Sequence, residues 1–376
     1  MSEQSKSRVG RAGQVVAAVI TSVVVLSALW AASEVRGQAS PSTSRRRPAT
    51  VTKDEAPGKV PAKDSKAPAG RAKNSKLPEP QPVSFDTQDG VRLSATYYRS
   101  VLGAGAAPVL LLHMRDGSQR DWKPLAEQLQ AGGYAVLTLD FRGHGDSRTV
   151  DPQVYRRLDP VTRKPLKTLN PQTFRREDFL AMLEDVEAAK RFLIQRHNGT
   201  NSGGESAARS AGRAADVSSP ESAELNIAKL TVVGAELGAT IATLWAARDW
   251  SWPDLPFGRR QGRDVMALVL ISPAWNLPGV GLNPSKALAA LRTHVPMMVV
   301  VGGKDVEGVR DAKRMVDVAN AQASDVRALL KNEYPTDLKG TKLLGFDLGV
   351  EADILEFLRT NVQRKSVPWE KREAAL

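Results

Sequence analysis

The sequence contains no cysteine, only four histidines and 5% aromatic residues in 376 positions. The absence of cysteine excludes disulfides, thiolate zinc sites, iron–sulfur clusters and a cysteine nucleophile. The shortage of histidine limits a catalytic imidazole to four candidates: His113, His144, His197 and His294. The sequence also has no phosphate-binding loop, dinucleotide fingerprint or cluster of metal ligands, so we expect no cofactor and no metal.

Composition narrows the class further. Hydrophobic residues make up 41% of the chain and charged residues 25%, which excludes a mostly disordered protein and a polytopic membrane protein. The net charge is +12, but residues 1–82 hold 14 Lys and Arg against 6 Asp and Glu. The remaining residues are therefore close to neutral, and we expect no nucleic-acid partner.

An apolar segment lies near the N-terminus. Residues 15–32 are uncharged and follow three basic residues. As a helix they would span about 27 Å, close to the roughly 30 Å of a hydrocarbon core. Residues 1–39 are therefore predicted to be a signal peptide or a single-pass membrane anchor, and both remain open. Either one exports the rest of the chain to the periplasm or the extracellular face, secreted or membrane-anchored.

Three further segments have biased composition. Residues 40–82 contain eight prolines and few large apolar residues, so we predict a disordered basic linker. It serves either as a spacer or as an electrostatic tether to an anionic envelope polymer or lipid head group. Residues 198–224 are predicted to be a flexible surface insertion, and residues 363–376 a charged C-terminal tail.

Between these segments, apolar runs alternate with helical patterns from residue 83 to residue 362. Runs typical of strands lie at 83–85, 91–98, 108–113, 134–139, 227–233, 265–271 and 295–301. Helical spacing covers residues 122–130, 173–195, 236–248, 310–323 and 350–358. This alternation predicts an α/β domain with a mostly parallel central sheet, helices on both faces and antiparallel N-terminal edge strands.

Four segments at the predicted strand ends carry a resemblance. They are LLLHMRDGSQRDW at 110–122, DFRGHGDS at 140–147, GAELG at 234–238 and MMVVVGGKD at 297–305. In this order they resemble the α/β-hydrolase superfamily, near its bacterial acyl-hydrolase and dienelactone-hydrolase-like members, over residues 83–362. The resemblance implies an oxyanion loop, a turn after the next strand, a nucleophile elbow and an acid loop.

The catalytic positions implied by the resemblance hold unusual residues. Glu236 occupies the elbow position of the family's nucleophile, Lys339 that of its histidine, and Asp305 that of its acid. The backbone N–H groups near Met114 and Leu237 would form the oxyanion hole. We therefore expect a degenerate triad, with an ion pair between Glu236 and Lys339 that satisfies the site without chemistry.

Three functions follow as hypotheses. The first is an exported, possibly membrane-tethered protein that is non-catalytic and binds an unknown small molecule or envelope partner. The second is an active ester or amide hydrolase with an unorthodox centre, in which Glu236 acts as a general base. The third is a structural envelope protein that binds through its basic linker. The fold alone does not choose a substrate.

Overall fold

A computed structural model describes residues 76–159, 162–200, 220–322 and 324–373. The predicted signal peptide or anchor, residues 40–75 of the predicted linker and most of the predicted insertion lie outside these ranges. Within them, no helix is both long and apolar enough to cross a membrane.

One mixed sheet of eight strands organises the described residues. The strands are β1 (Gln81–Asp86), β2 (Arg92–Tyr98), β3 (Pro108–Leu112), β4 (Ala135–Leu139), β5 (Leu230–Ala235), β6 (Val265–Ile271), β7 (Met297–Gly302) and β8 (Ala328–Tyr334). Their order is β1-β2-β4-β3-β5-β6-β7-β8. Strand β2 pairs antiparallel with β1 and β4, and the other pairs are parallel. The predicted sheet architecture is confirmed.

Helices cover both faces of this sheet. They are α1 (Lys123–Ala131), α2 (Arg176–His197), α3 (Leu237–Ser251), α4 (Ser285–Leu291), α5 (Val306–Ala319) and α6 (Val350–Leu358). Buried residues of α2, α3, α4 and α5 form one hydrophobic cluster with the sheet, and those of α1 and α6 form the other. Every residue of β3, β4 and β5 is buried, which explains why these strands are apolar except for Thr138 and Thr231.

The start of α3 lies against the end of β3 with no room for a side chain. A Cβ at Gly238 would lie 2.1 Å from the carbonyl oxygen of Leu112, and one at Gly234 would lie 2.3 Å from that of Gly238. Both neighbours are backbone atoms, and moving them would cost hydrogen bonds and packing of the sheet and the helix. The two glycines therefore set how closely β5, α3 and β3 approach.

Two predicted boundaries differ from the structure. Strand β1 begins at Gln81, inside the predicted linker, because its first residues pair with the end of β2. The predicted tail is not a free segment: Arg372 is 3% exposed and its guanidinium contacts the carboxylate of Asp264 at 2.5 Å. The side chain of Asn198 also bonds the backbone of Arg372. Residues up to 373 thus pack on the domain.

Gly238→Ala should destabilise the protein by about 1–3 kcal/mol, because the new methyl group overlaps backbone atoms of the neighbouring strand. Gly105→Ala is the matched control, since a Cβ there meets nothing within 4 Å. Urea unfolding of the full chain measures both. Equal free energies of unfolding for the two variants would contradict the close approach.

Candidate active site

Glu236 forms a sharp turn between β5 and α3. Its φ is 49° and its ψ is −105°, a conformation that a residue with a side chain adopts only at a cost of roughly 1–3 kcal/mol. The turn is held by its own N–H, which donates to the carbonyl of Ile271 at 2.9 Å. The half-buried side chain consequently stands at the carboxyl ends of the parallel strands, which we call the carboxyl edge.

The carboxylate of Glu236 accepts a backbone hydrogen bond from the loop after β3. The N–H of Arg115 donates to its Oε2 at 3.1 Å. The sequence analysis expected the N–H groups near Met114 to form part of an oxyanion hole, and Arg115 is the next residue of that loop. The side chain of Met114 instead lies beside the loop after β8, where Thr341 Oγ1 donates to its sulfur at 3.4 Å. Leu237 is the buried first residue of α3.

Lys339 pairs with Asp305 and not with Glu236. The distance from Lys339 Nζ to Asp305 Oδ1 is 3.1 Å, and Asp305 also caps α5 by accepting the N–H of Gly308 at 3.1 Å. No ion pair joins Glu236 to Lys339 among the described residues, so that expectation was wrong. The reason is local: each carboxylate already has a partner on its own side of the site.

The loop that carries Lys339 is anchored to the end of β6. The N–H of Gly340 donates to Oγ of Ser272 at 2.9 Å, and Ser272 has a positive φ of 45°. A Cβ at Gly340 would lie 2.8 Å from the sulfur of Met114. The loops after β3, β6 and β8 therefore hold one another in place around the elbow.

The two histidines nearest the site form hydrogen bonds with backbone groups. His113 Nε2 accepts the N–H of Phe141 at 3.0 Å, and its Nδ1 lies 2.6 Å from the carbonyl of Met114. Both ring nitrogens are thus in use. Burial lowers the pKa of His113 to about 4 and also lowers the pKa of His144, whose Nδ1 lies 3.0 Å from the carbonyl of Arg142.

The other two histidines lie at the opposite end of the sheet. His197 ends α2, and its Nε2 is 2.7 Å from the carbonyl of Glu370. His294 precedes β7, and its ring stacks on that of Trp250 with the centroids 4.6 Å apart. None of the four is placed to take a proton at the elbow.

A small polar cavity opens beside the elbow. Its volume is about 280 Å³, and it is lined by Arg115, Asp116, His144, Pro171, Gln172 and Phe179. The guanidinium of Arg115 donates to the carbonyl of Pro278 at 3.0 Å and lies 5.5 Å from the ring centroid of Phe179. The cavity thus offers a fixed cation, a ring and an imidazole to a ligand. No cluster that could hold a metal ion is found among the described residues.

Comparison of the sequence with known proteins finds only short matches. No protein-family model matches the chain. Two uncharacterized proteins of Mycobacterium tuberculosis, MT2364 of strain CDC 1551 / Oshkosh and Rv2307c of strain ATCC 25618 / H37Rv, are each 34% identical over 88 residues. The match covers 23% of this chain and 28% of the length of each relative.

Comparison of structures gives the fold. The α/β hydrolase GrgF from Penicillium sp. sh18 matches with a TM-score of 0.50 and 13% identity, over 76% of this chain and 99% of that one. The esterase Pf2001 from Pyrococcus furiosus has a TM-score of 0.49 and 16% identity, over 76% and 91%. Together with the strand order and the elbow between β5 and α3, the match to GrgF shows that this chain has an α/β-hydrolase fold.

The imidazole of His113 should make stability depend on pH. Its pKa in the folded state, about 4, lies below the ordinary value of 6.5. Below pH 6.5 the imidazole is therefore protonated in the unfolded state but stays neutral in the folded state. The contribution of His113 to the free energy of unfolding is fully present above pH 6.5 and is lost as the pH falls toward 4.

The expected difference is in how steeply the free energy of unfolding falls as the pH is lowered. Between pH 7 and pH 4.5 the free energy of unfolding of His113→Asn should fall by about 2 kcal/mol less than that of the native chain. Gly105→Ala, which removes no titratable group and meets nothing within 4 Å, should keep the native slope. Urea unfolding at the two pH values measures this, and identical slopes for all three proteins would refute it.

Proposed function

We propose that this protein is a non-catalytic member of the α/β-hydrolase fold that binds a small polar ligand or a partner at its carboxyl edge. The observation that carries the proposal is the hydrogen bond from the N–H of Arg115 to the carboxylate of Glu236. The side chain at the nucleophile position occupies the donor that would otherwise stabilise an oxyanion.

The residues at the positions of the base and the acid also support this proposal. A serine or cysteine nucleophile needs an adjacent base, and the base needs an orienting acid. Here the acid, Asp305, is bonded to Lys339 and to the first turn of α5. In a well-studied serine protease the loss of the nucleophile or the base costs about a millionfold in turnover. A remaining N–H group would not compensate for that.

The alternative is hydrolysis with Glu236 as a general base for water. Its support is that the half-buried carboxylate accepts the N–H of Arg115, a residue that lines a cavity large enough for a small substrate. Against it stands the use of Oε2 as the acceptor of the Arg115 N–H. Delivery of the proton to a leaving group would also need a partner for Glu236, and no hydrogen bond joins a histidine to Glu236 among the described residues.

The proposal includes export. The uncharged segment 15–32 and the basic residues before it support a signal peptide or a membrane anchor,. If the segment is not cleaved, it would tether the chain to the membrane, with the Pro-rich residues 40–75 as a spacer.

Hydrolysis tests the site directly. The full chain should not hydrolyse p-nitrophenyl esters or amides of any acyl length above a heat-inactivated control, and Glu236→Gln should give the same result. Native turnover that Glu236→Gln abolishes would mean that the carboxylate is catalytic, and the proposal would fail.

Placing a serine and a histidine at the nucleophile and base positions gives a sharper test of the proposal. The double variant Glu236→Ser, Lys339→His should hydrolyse short esters at least tenfold faster than the native chain. It frees the N–H of Arg115 and places an imidazole where Lys339 now meets Asp305. Glu236→Ser alone is the matched control, because it has the hydroxyl without the base. No gain in the double variant would show that these positions do not converge as a triad would.

A further inference from the structure

The described chain enters the domain on the side away from the elbow. Strand β1 runs in the same direction as β4, so its first residue lies with the amino ends of the parallel strands, which we call the amino edge. The carbonyl of Pro78 accepts a hydrogen bond from Gln130 Nε2 at 2.8 Å. Residues 76–80 are thereby joined to the end of α1 at this edge.

A groove crosses the amino edge at β6, β7 and β8. Its volume is about 530 Å³. Its apolar lining includes Met266, Val326, Leu329, Phe357 and Val367. Leu329 is 48% exposed, so part of this lining faces solvent in the free protein.

Cations stand at the rim of the groove and beside it. Arg327 and Lys365 line it, and both are exposed. Cations of the amino edge without a salt bridge among the described residues include Arg260, Arg292, Arg327, Arg364 and Lys365. Acids of this edge without a salt bridge among the described residues include Glu221, Asp317, Asp325 and Glu370, of which Asp325 lines the groove.

We propose that the amino edge is a docking surface for an anionic lipid bilayer, with the groove lying against the head groups. An apolar floor beneath a cationic rim complements an anionic head group and the first carbons of its chains. The sequence before β1 has the same sign of charge, with 14 Lys and Arg against 6 Asp and Glu.

This orientation turns the candidate active site away from the bilayer. The elbow lies at the carboxyl edge, at the other end of the strands from the groove. A docked domain would therefore present Glu236 and the cavity beside it to soluble ligands. The inference extends the proposed function and uses its membrane attachment, but it concerns a different surface.

The absence of native cysteine allows one label at a time. Ser366→Cys carries a fluorophore at the rim of the groove, and Asp337→Cys carries one on the exposed loop after β8, at the carboxyl edge. The full chain is mixed with vesicles of phosphatidylcholine, alone or with equal phosphatidylglycerol, that contain a quencher in their head groups. We expect quenching at position 366 only, on anionic vesicles only, and reversed by 1 M salt.

Charge variants test the residues. Each cation near an anionic membrane strengthens binding about fivefold. Arg327→Gln with Lys365→Gln should therefore lower the ratio of docked to undocked protein about 25-fold. The matched control, Lys304→Gln with Lys342→Gln, neutralises two exposed lysines of the carboxyl edge and should leave the ratio unchanged.

Three results would overturn the inference. They are equal quenching at positions 366 and 337, equal quenching on neutral and anionic vesicles, and equal loss in the two charge variants. Binding to heparin or duplex DNA without quenching on anionic vesicles would assign the surface to another polyanion and also overturn it. Flotation with neutral vesicles reports separately on anchoring through residues 15–32, and hydrolysis reports separately on the elbow.

Discussion

The contact between the first turn of α3 and the end of β3 is the constraint on which the candidate site depends. Because Gly238 has no side chain, the helix begins directly against the carbonyl of Leu112. The chain must then turn within one residue, and Glu236 takes the strained conformation that this requires,. Its side chain has only one direction left, toward the loop after β3. Backbone packing thus fixes where the side chain at position 236 begins.

The chemistry of the site follows from how its charges are satisfied. An α/β-hydrolase elbow normally leaves N–H donors free for a substrate oxygen. Here Glu236 accepts the N–H of Arg115, while Lys339 and Asp305 form a pair of their own. The result is one hydrogen-bonded carboxylate and one separate ion pair, and not the single three-membered cluster expected from the sequence. Each unit needs no ligand to be stable, which agrees with a site that binds without reacting.

The sequence predicts the fold where burial dictates composition and fails where it does not. Strands β3, β5 and β7 are buried throughout and were found as apolar runs. Strand β8 was missed because it contains Lys331, Asn332 and Glu333 at a sheet edge that needs no apolar face,. The elbow was located from glycine spacing. The partner of Glu236 was expected to be Lys339 and is the N–H of Arg115, since no sequence pattern tells which N–H of a loop points inward.

Long-range pairing of buried charges is the other feature that the sequence conceals. Arg372 reads as part of a charged tail, yet it closes a network with Asp264 and Lys190 that almost excludes water. A buried cation is tolerated only with such partners, so this network holds the C-terminal segment on the domain. That segment in turn supplies Lys365 and Val367 to the groove. The C-terminal segment therefore contributes to the amino edge and not to the candidate site at the carboxyl edge. Changes at one edge need not disturb the other, and a protein that lost catalysis at the elbow could keep a separate surface for attachment.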